Sequence, residues 1–198
     1  MNESKKIIVG ITGASGVIYG IRLIEELVKM GHKVHLMITD AGWQVLNQEL
    51  GLSIDDKVSS LSEYIKEFNS NIFYHHMRDF NAPIASGSYQ ADSMIVIPCS
   101  MGTLSKIAHG TSSNLLERAA DVMLKEGKKL IIVPRETPLN NIHLENMLTL
   151  SKAGAKILPA MPGFYHNPSN IEELIDHLVG KALDLMGIPH SLFRRWGE

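Results

Sequence analysis

Short apolar runs rich in β-branched residues alternate along this chain with stretches whose apolar positions recur every three to four residues. The first pattern suits strands buried on both faces, the second helices that cover them. Residues 7–12 form such a run; after Gly13, Ala14, Ser15 and Gly16 an amphipathic stretch covers 17–30 and closes at Gly31. Residues 33–38 predict a second strand, with Thr39 and Asp40 as an N-cap for a helix through Glu49. The pattern returns at 93–97, ended by Pro98 and followed by a helix from about Thr103, and at 130–133, ended by Pro134 and followed by a helix over 143–152. A short strand over 156–159, a loop and a helix over 171–186 complete it. Residues 54–89 are less regular and predict one helix over 61–68 and a turn-rich loop over 79–88, a length of loop that is often functional. This alternation predicts an α/β fold, Rossmann-like or flavodoxin-like, in three layers around a mainly parallel sheet. With no repeat and no low-complexity linker, one domain over 1–198 is expected.

Composition narrows the function classes. At 44% hydrophobic and 20% charged, the 198 residues suit a folded core and exclude disorder. Apolar runs such as 94–99 are too short to span a bilayer. A net charge of −2 leaves no electrostatic footprint for nucleic acid or an anionic membrane. The lone Cys99 forbids an internal disulfide, and ending an apolar run it reads as a small core residue rather than a nucleophile. Among nine histidines, His75 and His76 are adjacent and none forms an H-x-x-x-H pair beside a further ligand, so no metal is expected. No cationic stretch followed by an apolar one opens the chain, and a cytoplasmic location is expected.

In an open parallel sheet, ligands bind beyond the carboxyl ends of the strands. Gly13, Ala14, Ser15 and Gly16 fit either a tight strand-to-helix turn or a phosphate cradle, without matching G-x-G-x-x-G or a P-loop. Ser100, Met101, Gly102 and Thr103 fit either a helix cap or a second anion or ring-edge site. Arg135 and Glu136, between Pro134 and Pro138, fit either a surface ion pair or a bidentate phosphate ligand beside a proton-handling carboxylate. Arg118 and Lys125, seven apart on one helix, present a solvated face or a phosphate clamp. Tyr165, on a proline-stiffened loop, either packs in the core or closes over a planar ligand, and Trp196 near the end of the chain gains from cover by another subunit.

Together these segments resemble the flavin prenyltransferase family of the UbiX/Pad type, within the homo-oligomeric flavin-containing cysteine-decarboxylase-like proteins. The resemblance runs through TGASG at 12–16, ASGS at 85–88, PCSMGTLS at 98–105, ERAADVMLKE at 117–126, VPRETP at 133–138, IHLENML at 142–148, PGFYH at 162–166 and RRWGE at 194–198. It implies FMN, held in its reduced form by Gly13, Ala14, Ser15, Thr39, Ser100, Met101, Gly102, Thr103 and Arg135. It implies dimethylallyl phosphate as prenyl donor, surrounded by Lys125, Glu136, Tyr165 and Lys181, with Glu49 and Arg118 also at the site and Trp196 enclosing the prenyl group. Prenylated FMN for a UbiD-type decarboxylase, a dodecamer and metal-independent chemistry are further implications. Two positions depart from the family: Phe80 stands where many members have tryptophan, and Lys181 where many have arginine, which keeps the charge and loses the fork. The competing expectation is an FMN-dependent decarboxylase of a cysteine-containing substrate. Residues 17–22 hold no histidine for it, and PGFYH replaces its Met-Asn segment.

Overall fold

The computed structural model describes residues 4–65, 68, 70–195 and 197. Its sheet contains β1 (Lys6–Ile11), β2 (Lys33–Ile38), β3 (Ile72–Tyr74), β4 (Ser93–Cys99), β5 (Lys129–Pro134) and β6 (Lys156–Ile157), in the order β3-β2-β1-β4-β5-β6. Every pairing is parallel, so the fold is α/β as expected, with the strand order of a doubly wound nucleotide-binding sheet. The order reverses between β1 and β4, and that reversal opens a crevice at their carboxyl ends.

Successive side chains of a strand point to opposite faces, and the central strands are apolar on both. Ile7, Val9, Ile11, Ile95, Ile97, Ile131 and Val133 pack with α1 (Val17–Lys29), α2 (Asp40–Leu50), α3 (Lys57–Tyr64) and α7 (Ile171–Met186). Ile8, Met94, Val96, Leu130 and Ile132 pack on the other side with α4 (Met101–Ala108), α5 (Leu115–Lys125) and α6 (Asn141–Lys152). Gly20 brings α1 down onto the sheet, since a Cβ there would stand 2.6 Å from the carbonyl oxygen of Ile97.

Several boundaries differ from the pattern reading. β4 continues through Pro98 to Cys99 rather than stopping before it, because its pairing with β5 shifts register between Val96 and Cys99 and needs no proline N–H there. β5 likewise includes Pro134. α4 starts at Met101, capped by Ser100, and α3 starts at Lys57, where the Asp56 carboxylate accepts from the N–H of Ser59. β6 is only two residues long.

The largest difference is β3, an edge strand of three residues inside the segment that lacks a pattern. A histidine system holds it and the chain that follows. His35 on β2 shares hydrogen bonds with His75 Nε2 at 2.8 Å and Tyr89 Oη at 2.6 Å, and stacks on Phe73. Both ends of the 75–89 excursion are thus tied to the sheet. Burial, then the charges of His75, Lys6 and Lys33, push His35 down to about 4. The unfolded chain therefore binds the extra proton between pH 6.5 and 4, and stability is lost as pH falls through that window. Urea titrations should show a slope of at most about 1.4 kcal/mol per pH unit from this group between pH 4 and 6.5, reduced in His35→Gln; an unchanged slope in the variant would remove His35 as its source.

Candidate active site

Thr12 directly follows β1, with its side chain buried. Its hydroxyl donates to the Pro98 carbonyl at 2.9 Å and accepts from the Ser100 N–H at 2.8 Å, while its own N–H also reaches Pro98 at 3.2 Å. One side chain thus clasps the loops after β1 and β4. Beyond it Gly16, at φ 94°, turns the chain into α1, a conformation that favours glycine. No side chain from that turn caps α1; instead Glu49, from the last turn of α2, accepts from the N–H groups of Gly16 at 3.0 Å and Val17 at 3.2 Å. Thr39 caps α2 by accepting from Gly42, and Ser100 caps α4 by accepting from Thr103. The N-termini of α2 and α4, each partially positive, therefore open at the carboxyl end of the sheet, while that of α1 carries the Glu49 carboxylate.

A crevice of about 440 Å³ lies among them, within the size range of small-ligand sites. Gly13, Thr39, Ser100, Gly102 and Thr103 line it, whereas Ala14, Ser15, Met101 and Arg135 do not. Asp40, Met77, Arg78, Lys106, Ser113, Asn114 and Glu117 also line it, and the sequence did not mark them as site residues. Only Asn114 and Glu117 left a signal, an Asn-x-x-Glu helix start: Asn114 accepts from the Glu117 N–H, and the Glu117 carboxylate accepts from Ser113 and Asn114. Burial raises the Glu117 carboxyl, but these bonds and Lys106 at 3.3 Å outweigh it and hold the pKa below its ordinary value.

The next strand end carries Arg135, whose N–H donates to the Cys99 carbonyl at 3.3 Å. Its guanidinium Nε is buried without a hydrogen-bond partner among the described residues, a costly state unless an acceptor arrives. Glu136 is exposed, and its carboxylate accepts from the Thr137 N–H. Cys99 is fully buried, and burial pushes its thiol up, so it serves the core and not as a nucleophile.

The remaining sequence-predicted residues stand in two other places. On α5, Arg118 donates to the Ala85 carbonyl at 3.1 Å and pairs with Asp121; Lys125 pairs with Glu126. Gly87 abuts Lys125 and Glu126 so closely that a Cβ would overlap them, and the 85–88 loop is seated along this helix. From Leu115 to Lys125 the helix spans about 15 Å, carrying Lys125 away from the crevice toward the amino ends of the strands. On the opposite face of the sheet, Tyr165 meets His177 of α7 at 2.8 Å, with exposed Lys181 one turn further on. One subunit therefore does not bring Lys125 together with Lys181. Trp196 lies outside the described residues. Among the described residues no group of three or more His, Cys, Asp or Glu could hold a metal ion, and no helix is long and apolar enough to cross a membrane.

Residues 1–194 match the family model described as Flavoprotein. A relative named flavin prenyltransferase UbiX, from Halalkalibacterium halodurans, is 63% identical over 190 residues, covering 96% of this chain and 92% of the relative. The crystal structure of AnUbiX (PadA1) in complex with FMN and dimethylallyl pyrophosphate superposes with a TM-score of 0.89 at 39% identity, covering 99% of each chain. A dodecameric FMN-dependent UbiX-like decarboxylase from Escherichia coli O157:H7 gives 0.87 at 42% identity, covering 98% of this chain and 100% of that one.

The Thr12 clasp is open to a direct check. Thr12→Val keeps the volume and deletes both hydroxyl bonds, leaving the Ser100 N–H and a Pro98 carbonyl lone pair unsatisfied, and should cost about 1–3 kcal/mol in urea unfolding. Thr12→Ser should retain most of that stability; equal stability of the valine variant would contradict the clasp.

Proposed function

The chain belongs to the Flavoprotein family and, within it, to the flavin prenyltransferases of the UbiX type, and from that membership we propose that it transfers a dimethylallyl group from dimethylallyl phosphate to reduced FMN. Bonding at N5 of the flavin and then at C6 closes a new ring and gives prenylated FMN, the cofactor of a UbiD-type decarboxylase. Reduced FMN supplies the nucleophilic ring positions. Gly13, Ala14, Ser15, Thr39, Ser100, Met101, Gly102, Thr103 and Arg135 are the residues that would hold it. The buried Nε of Arg135, without a partner among the described residues, carries this reading, because it sits one strand end from the N-terminus of α4 and calls for an anionic or acceptor-bearing ligand.

Departure of phosphate from the donor is the step that charged side chains assist. Lys125, Lys181 and the Tyr165 hydroxyl would bind the leaving phosphate and stabilise its growing charge, with Arg118 fixing the 85–88 loop. Aromatic faces at Phe80 and Trp196 suit an allylic cation and exclude water that would quench it. Glu136 carries a carboxylate able to accept at Oε the proton released on ring closure. Glu49 supports the site indirectly, by capping the helix that follows Gly16.

A homo-oligomer, a dodecamer like the Escherichia coli relative, fits this reading. Lys125 and Lys181 come from opposite faces of one sheet, so a second copy has to supply one of them at a subunit junction. Phe80, Ile142, Leu148, Met161 and Phe164 are exposed and apolar, as such junctions require. The cytoplasmic location expected from the sequence belongs to the same reading. A decarboxylase acting on a cysteine-containing substrate is the less favoured reading.

Anaerobic incubation with reduced FMN and dimethylallyl phosphate, followed by mass spectrometry of the released flavin, tests the reaction: flavin heavier by one five-carbon unit supports it, and unaltered flavin opposes it. Arg135→Ala should weaken FMN binding, read by fluorescence quenching, by about 1.5–3 kcal/mol. Single-turnover rates on FMN-saturated Glu136→Gln should fall by roughly 10² to 10⁴, and wild-type rates would end its role in proton transfer.

A further inference from the structure

The geometry at α7 points to His177 as a positioning residue that sets the direction of the Tyr165 hydroxyl; this inference rests on the reading of Tyr165 as a donor-phosphate ligand. His177 is 6% exposed and has both ring nitrogens engaged. Its Nδ1 lies 3.3 Å from the backbone nitrogen of Gly163, and its Nε2 lies 2.8 Å from the Tyr165 oxygen. A backbone N–H can only donate, so Nδ1 must present its lone pair. A neutral imidazole then carries its single proton on Nε2. That N–H donates to the phenol oxygen, and the Tyr165 O–H proton is turned away from the imidazole, as a donor. The chain of bonds runs in one direction, from the Gly163 N–H through the ring to the Tyr165 hydroxyl. Such a hydroxyl is set to donate to an anion rather than to accept from one of the surrounding cations.

Packing supports this assignment. His166 stacks on His177 at 5.0 Å and 16°, Phe193 covers it at 5.0 Å, and the Tyr165 ring stands edge-on to it at 5.5 Å. Gly163 is required by the same fold-back, since a Cβ there would come 2.7 Å from the Tyr165 ring. Lys181 follows four residues later, on the same face of α7. Burial, followed by the charges of His166 and Lys181, lowers the His177 pKa, and the ring stays neutral and keeps its Nδ1 lone pair. Nothing in PGFYH or in the helix pattern signals this: a lone histidine on a helix reads from sequence as an ordinary core position.

FMN-saturated oligomer tests the inference. His177→Phe keeps a ring and removes both bonds, and should raise the KM for dimethylallyl phosphate about 3- to 10-fold, the effect of one neutral hydrogen bond, with FMN affinity near wild type. His177→Gln restores an acceptor and a donor and should recover most of that KM. In a Tyr165→Phe background, which has no hydroxyl to direct, His177→Phe should add no further rise; a full additional rise, or an unchanged KM in His177→Phe alone, would overturn the proposal. Nitrogen NMR of histidine-labelled protein, with His177 assigned by its loss in His177→Gln, gives a readout independent of turnover and of the folding of His177→Phe. A proton on Nε2 with bare Nδ1 is expected, and a proton on Nδ1 would overturn the inference. Failure of prenyl transfer by the wild-type protein would refute the reading of the function while leaving this tautomer measurable.

Discussion

The contact on which the site depends is the buried Thr12 hydroxyl, held between the Pro98 carbonyl and the Ser100 N–H. It sits where the sheet reverses its order and where two strand-end loops would otherwise splay apart. Because a hydroxyl can donate and accept together, one small side chain satisfies backbone groups on the loop it faces and fixes the spacing of two helix N-termini. Pro98 suits the place because its missing N–H is not needed, while its carbonyl is used twice. Gly13, Thr39, Ser100, Gly102 and Thr103 inherit their places in the crevice wall from this clasp and from the caps made by Thr39, Glu49 and Ser100.

Around this neutral, backbone-rich floor the charged groups are kept apart by function. Lys106 lines the crevice and is already committed to buried Glu117, while Arg135, at the end of β5 and outside the crevice lining, has a buried nitrogen with no acceptor among the described residues. Lys125 and Lys181, proposed to bind the leaving phosphate, stand on helices packed against opposite faces of the sheet and do not meet within one chain. On the proposed reading assembly becomes part of the chemistry: a subunit would hold the flavin with its own strand ends, and the phosphate of the prenyl donor would need groups from two copies. Glu136, proposed to handle the proton, follows directly on Arg135, so on that reading one strand end would serve both ligands.

Much of this was legible in the sequence where local chemistry is strong. β2 and α7 fall within their expected bounds because apolar periodicity, the Asn170 cap and Gly187 agree there. The strand-end loops at Gly13, Ser100 and Arg135 were legible because parallel α/β topology leaves little choice of where a ligand binds. β3 was not, since three residues carry no period and its stability comes from His35, forty residues distant from His75. Arg78 and Lys106 were invisible for a related reason: they reach the crevice through the folding of 75–114, which no spacing in the sequence encodes.

The most direct measurement is a crystal structure of the assembled protein with FMN bound. The expected result is a flavin seated over the Thr12 clasp between the loops that begin at Gly13 and Ser100, with the Arg135 Nε hydrogen-bonded to it. A flavin bound elsewhere, or an Arg135 whose guanidinium remains without a flavin partner, would contradict the assignment of this crevice.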